Sequence, residues 1–196
     1  MNKNTYKEQL EALSGIRNLM ERSSRYLPLS GKAGVASGVL SIICSLIIDA
    51  YFRIDEDNLK PLAFLFGALF IICLAIEVVM AERNARQKGV PAWDTIAKRF
   101  LINFFIPMLA GGIYIIALVL RQELELVLPA MLIFYGLSLI NASRYTIEEI
   151  RTLGFIELVL GLMASFIPQY GLLAWGIGFG IVHVLYGIFI YFKHEK

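Results

Sequence analysis

RTLGFIELVLGLMASFIPQYGLLAWGIGFGIVHVLYGIFIYF, residues 151–192, holds one arginine at its start, a single carboxylate at Glu157 and a single imidazole at His183, among side chains that are otherwise almost all apolar or absent. The run is too apolar for a soluble helix and too long for one membrane helix, because ~30 Å of hydrocarbon is crossed by about 20 helical residues. Pro168, Gln169, Tyr170 and Gly171 interrupt it near its centre, and Pro and Gly are the strongest local breakers. The stretch therefore predicts two antiparallel membrane helices joined by a very short turn. An ionisable residue at such depth is by default a functional-site hypothesis, and the question it raises is what neutralises Glu157.

The rest of the chain has the same character. Of 196 residues, 58% are apolar and 17% charged, with a mean hydropathy of +0.67, outside the range of soluble domains. Apolar runs long enough to span a bilayer occur at residues 33–53, 61–81, 100–120, 127–143, 150–168 and 171–192. The expected fold is all-α, an integral membrane bundle of six transmembrane helices over residues 33–196, preceded by a cytoplasmic amphipathic helix and linker over residues 1–32. The first run follows a long polar segment and has no small-residue cleavage site behind a short apolar core. It is expected to remain as a span rather than act as a removable signal.

Charge sets the orientation. The connectors after the first and third runs are mainly acidic (Asp55, Glu56, Asp57; Glu123, Glu125), and the connector at 168–171 has no charge. The other side of the bundle carries 15 of the 18 basic residues, which places both termini in the cytoplasm. The net charge of +2 is thus a matter of topology; the lipid bilayer is the expected partner, and nucleic acid is not. Tyr51, Trp93, Tyr145, Tyr170, Trp175 and Tyr191 lie near span ends, where amphipathic rings prefer to sit. Thr146-Ile-Glu-Glu149 reads as a start signal for the fifth span. Over residues 5–27, Tyr6, Leu10, Leu13, Ile16, Met20 and Leu27 recur at near-helical spacing with basic residues between them. Such a helix either lies on the anionic leaflet or docks a cytoplasmic protein or a second copy of the chain.

Glu157 and His183 lie at equal distance from the turn at Tyr170 and hence at equal depth in an antiparallel pair. On the face of Glu157 stand Gly154, Gly161 and Ser165; on that of His183 stand Gly176, Gly180 and Gly187. Small residues let membrane helices approach closely, so these two faces are expected to meet and bring acid and imidazole together. Glu77, Asn103, Ser138 and Asn141 complete a candidate intramembrane polar site, with Pro107 freeing the carbonyl of Asn103. The Glu157 and His183 pair reads as a buried clasp, as a proton or substrate site, or as part of a metal site. Cys44 and Cys73 sit within apolar runs at no metal or redox spacing and read as small hydrophobes.

Familiar membrane chemistry finds little here. Bis-imidazole haem needs two membrane histidines, and the second histidine, His194, is in the tail; no HExxH and no Gly-rich nucleotide loop occurs. No cofactor, metal or catalytic residue is expected. Gly136-Leu-Ser138, and His183 followed by Gly187, look somewhat like the rhomboid intramembrane serine proteases. The chain departs from them at Leu139, where rhomboids carry Gly, in its short first loop, and in lacking a His and Asn pair on the second span. That reading is set aside. From end to end, with IRNLMERSSRYLPLSG, YTIEEIRTLG and a Gly-rich last span carrying His183, the chain resembles small bacterial six-span inner-membrane proteins of uncharacterised activity, a resemblance that implies location and no chemistry.

Two functions fit. One is a non-catalytic accessory, regulatory or assembly protein acting through its N-terminal helix and Gly-lined faces. The alternative is a small proton-coupled transporter or ion carrier using Glu157 and His183. A cavity reaching the polar cluster favours the second; a packed core favours the first.

Overall fold

The computed structural model describes residues 30–52, 54–55, 57–87, 89 and 91–196; the amphipathic segment expected over residues 5–27 lies outside them. Every described element is helical. The helices are α1 (Gly31–Tyr51), α2 (Leu59–Gln87), α3 (Thr95–Leu120), α4 (Val127–Ala142), α5 (Glu149–Phe166) and a composite α6. The last is built from α-helical Gly171–Trp175, a wide π-helical stretch Gly176–Val182, α-helical His183–Ile190 and a second π stretch, Tyr191–Glu195. Five of the six are long and apolar enough to cross a membrane: α1, α2, α3, α4 with its flanking turns, and α6. The exception is α5, whose 18 residues contain Glu149, Arg151 and Glu157.

The chain packs as two groups of three. α4 lies along α5 and is flanked by α3, while α1 lies along α6 and is flanked by α2. The outer helices α2 and α3 make no extensive contact with each other. Between them runs a cleft whose floor is formed by α4 and α6.

Glycines decide these pairings, and differently from the hairpin expected on sequence. The Gly154 and Gly161 face of α5 seats against α4: a Cβ on Gly154 would come within 2.8 Å of the Gly136 carbonyl oxygen, and one on Gly161 within 2.8 Å of the Ile133 nitrogen. The Gly176, Gly180 and Gly187 face of α6 seats against α1, where a Cβ on Gly187 would lie 2.6 Å from the Gly31 carbonyl oxygen. The reason is that α1 carries its own stripe of small residues, Gly31, Gly34, Gly38, Ser41 and Ser45, and backbone approaches backbone where both faces are small. α5 and α6 still meet beside their connecting turn, around Glu157 and Gly178, and at the far end through Glu149.

Polar groups at the helix ends fix the arrangement. Asp94 caps α3, its Oδ1 accepting from the Ala97 amide at 2.7 Å. α5 begins at Glu149 with no side-chain cap bond. The Glu149 carboxylate accepts from Lys193 Nζ and lies 3.4 Å from His194 Nε2, tying the start of α5 to the end of α6. Glu195 in turn accepts from the Gly31 amide at 2.6 Å and binds the end of α6 to the start of α1.

Candidate functional site

The site is assembled by the wide turn in α6. In Gly176–Val182 the helix is π-wound, a local form that recurs at functional sites, and GIGFGIV supplies three glycines that allow close neighbours. The Gly178 carbonyl oxygen lies 2.9 Å from His183 Nδ1. A carbonyl can only accept, so Nδ1 carries a proton. In a neutral imidazole Nε2 is then an acceptor, and it receives the hydroxyl of Tyr135, on α4, at 2.9 Å. The ring is held flat by Phe179, stacked at 17° with centroids 5.7 Å apart.

Glu157 stands behind this ring. It is 0% exposed, against 8% for His183, and its Oε1 lies 3.3 Å from His183 Nδ1. Only the contact to Gly178 has hydrogen-bond geometry, so neither oxygen of Glu157 has a hydrogen-bond partner among the described residues. The absent side chain of Gly178 makes the room, since a Cβ there would collide with the Glu157 carboxylate. The result is one N–H facing two acceptors, a carbonyl it bonds and a carboxylate it can reach by a small ring movement. A buried carboxylate left without donors is costly, and it persists where charge attraction or protonation compensates.

Two cavities meet at this imidazole. The larger, about 390 Å³, is lined by residues that include Ser37, Phe66, Cys73, Met108 and Trp175. The smaller, about 190 Å³, opens among Gly34, Ala81, Ala97, Phe100 and Tyr186. Both are bounded by the same five residues, Leu74, Glu77, Phe104, Tyr135 and His183. They form a waist midway along the bundle, and among the described residues no Lys, Arg or Asp lines either cavity.

Of the residues singled out from sequence, Glu157, His183 and Glu77 come together here. Ser138 does not join them: it is fully buried and donates to the Phe134 carbonyl of its own helix at 2.8 Å. Asn103 and Asn141 pair elsewhere, Asn141 Nδ2 donating at 2.8 Å to the Asn103 carbonyl oxygen that Pro107 leaves without its helical donor. That carbonyl is therefore a joint between α3 and α4 rather than a ligand. Ser165 bonds the Gly161 carbonyl at 2.9 Å. Cys44 is buried, and Cys73 lines the larger cavity as a free thiol. No group of three His, Cys, Asp or Glu side chains able to hold a metal is found among the described residues.

Sequence reasoning missed Tyr135 and Gly178. A signal for the tyrosine existed, since Tyr135 stands eleven residues before Thr146 and Glu157 eleven after it, which gives them equal depth across the turn between α4 and α5. In comparisons with known proteins, the chain matches no family model, no curated sequence and no solved structure.

Proposed function

We propose that the chain is a small proton-linked carrier of a bacterial inner membrane, with six spans and both termini in the cytoplasm. The observation that carries this reading is the waist: two cavities end on one titratable ring, His183, whose other side faces the enclosed carboxylate of Glu157. The ring takes up a proton from one cavity and returns it to the other, and the Glu157 carboxylate, 3.3 Å from Nδ1, stabilises the imidazolium formed between the two steps. Six spans are supported by α5, whose 18 residues reach about 27 Å; Glu149 and Arg151 lie in its first turn, at the membrane surface, and only Glu157 lies deep. The even number of spans agrees with the 15 of 18 basic residues that share a side with both termini.

The accessory-protein reading stands second. Its docking helix over residues 5–27 lies outside the described residues, and the Gly-lined faces it needs are already occupied inside the bundle by α1 and α4. Purified protein in sealed vesicles should collapse an imposed pH gradient faster than empty vesicles, followed with an entrapped pH dye. Equal rates at all pH values and in both directions would return the function to the accessory class.

A further inference from the structure

Building on the carrier reading, we infer that the larger cavity is a binding site for lipophilic organic cations of the aromatic or quaternary type, with Glu77 as their counter-ion. At about 390 Å³ the cavity falls within the range of ligand pockets, roughly 300 to 1,000 Å³. Its wall is a continuous run of aromatic rings. Phe66 meets Trp175 edge-on at 5.2 Å, Trp175 meets Phe179 at 5.3 Å, and Phe179 meets Tyr135 at 4.8 Å. Ring faces attract cations, most strongly when water is excluded.

Charge points to the same ligand class. Among the described residues, the middle of the bundle contains two carboxylates, Glu77 and Glu157, and one imidazole, and no Lys or Arg lines the cavities. The one basic ring there, His183, already lies against Glu157, at 3.3 Å. Among the described residues Glu77 has no hydrogen bond or ion pair, only the more distant attraction of the His183 ring, and it lines both cavities. The groups around it are His183 on α6, Tyr135 on α4, Glu157 behind the ring on α5 and Cys73 on its own helix; α1 and α3 turn no charged side chain into the cavities. An unpaired carboxylate in an apolar, ring-lined space is neutralised by a proton or by a cation from outside. These are alternative occupants of one group, which links ligand and proton.

The α3 side of the cavity leaves room for such a ligand. A Cβ on Gly112 would meet nothing within 4 Å, and the gap between α2 and α3 gives an apolar cation a route from the lipid.

The test is binding, kept separate from transport. The chain has two tryptophans, and Trp93→Phe leaves Trp175, in the cavity wall, as the only reporter. Tetraphenylphosphonium titrated into this protein in detergent should quench Trp175 saturably, and its affinity should fall as pH is lowered. Triphenylphosphine oxide, neutral and of similar shape, should bind at least about tenfold more weakly, a difference of 1.4 kcal/mol. Glu77→Gln should lose cation binding to a similar degree, while Glu77→Asp, which keeps the charge, should retain most of it. Equal affinity for the cation and the neutral compound, or pH-independent binding in the Trp93→Phe protein, overturns the assignment even if the Glu77 variants fail to fold. Saturable, charge-dependent binding without proton flux in vesicles would leave the site standing and remove the carrier.

Discussion

Tyr135 and Glu157 address opposite nitrogens of one imidazole, the hydroxyl 2.9 Å from His183 Nε2 and the carboxylate 3.3 Å from Nδ1. The two come from neighbouring helices, α4 and α5, and the ring between them from α6. His183 thereby stands between the Tyr135 hydroxyl, which lines both cavities, and the enclosed carboxylate of Glu157.

If Glu157 and His183 stabilise each other, removing either leaves the other buried without its partner, a loss of about 3 to 5 kcal/mol for a buried pair. Glu157→Gln and His183→Gln should each lower thermal stability in detergent, and the double variant should lose clearly less than the sum of the two. Strict additivity would show that the two side chains do not interact.

Gly178 is the position where a methyl group tests the carboxylate's location. A Cβ there meets the Glu157 carboxylate and comes within 2.7 Å of Leu132 Cδ2. Gly178→Ala should cost about 1 to 3 kcal/mol through overpacking, and should cost clearly less when introduced into a chain that already carries Glu157→Ala. Melting temperatures of the four proteins in the cycle decide it; an unchanged cost in the Glu157→Ala background would place the carboxylate elsewhere.

Asn141 and Pro107 form a second cycle, remote from the waist. Asn141→Ala strips the Asn103 carbonyl of the donor it has at 2.8 Å, a loss of about 1 kcal/mol. Pro107→Ala restores a backbone N–H four residues after Asn103, so in that background the Asn141 substitution should be close to neutral. A full effect in both backgrounds, by denaturation in detergent, contradicts the joint.

Much of this fold was legible because a membrane helix must satisfy its own backbone, so apolar length alone marks the elements. The runs at 127–143 and 150–168 correspond to Val127–Ala142 and Glu149–Phe166. Elsewhere the helices run beyond the apolar core, as in Leu59–Gln87, because a helix continues past the hydrocarbon where its sequence allows. The equal depth of Glu157 and His183 also followed from counting across a short turn. The partners of the glycine faces did not, because a small face is compatible with any other small face; α1 supplied one for α6, and Gly136 on α4 supplied one for α5. Tyr135 was hidden by its chemistry, a ring like its apolar neighbours with one hydroxyl that acquires meaning only opposite Nε2. The cavities were not legible at all, since they arise from α2 and α3 standing apart.

Tyr135→Phe keeps the ring contacts with Phe179 and Phe104 and removes only the hydroxyl that meets Nε2. Stability should fall by about 1 kcal/mol, while vesicle proton flux should fall severalfold and shift in its pH dependence. Flux and pH profile identical to the parent protein would exclude the hydroxyl from the path.

The central claim is that protons cross the bundle through the His183 ring. Proton flux into sealed vesicles under an imposed membrane potential, read with an entrapped pH dye for the parent protein and for His183→Gln at matched protein content, tests it most directly. The account predicts a flux well above that of empty vesicles for the parent and a fall to the empty-vesicle rate for His183→Gln, with the variant's fold checked by its melting curve. A folded His183→Gln protein that conducts protons as fast as the parent would contradict it.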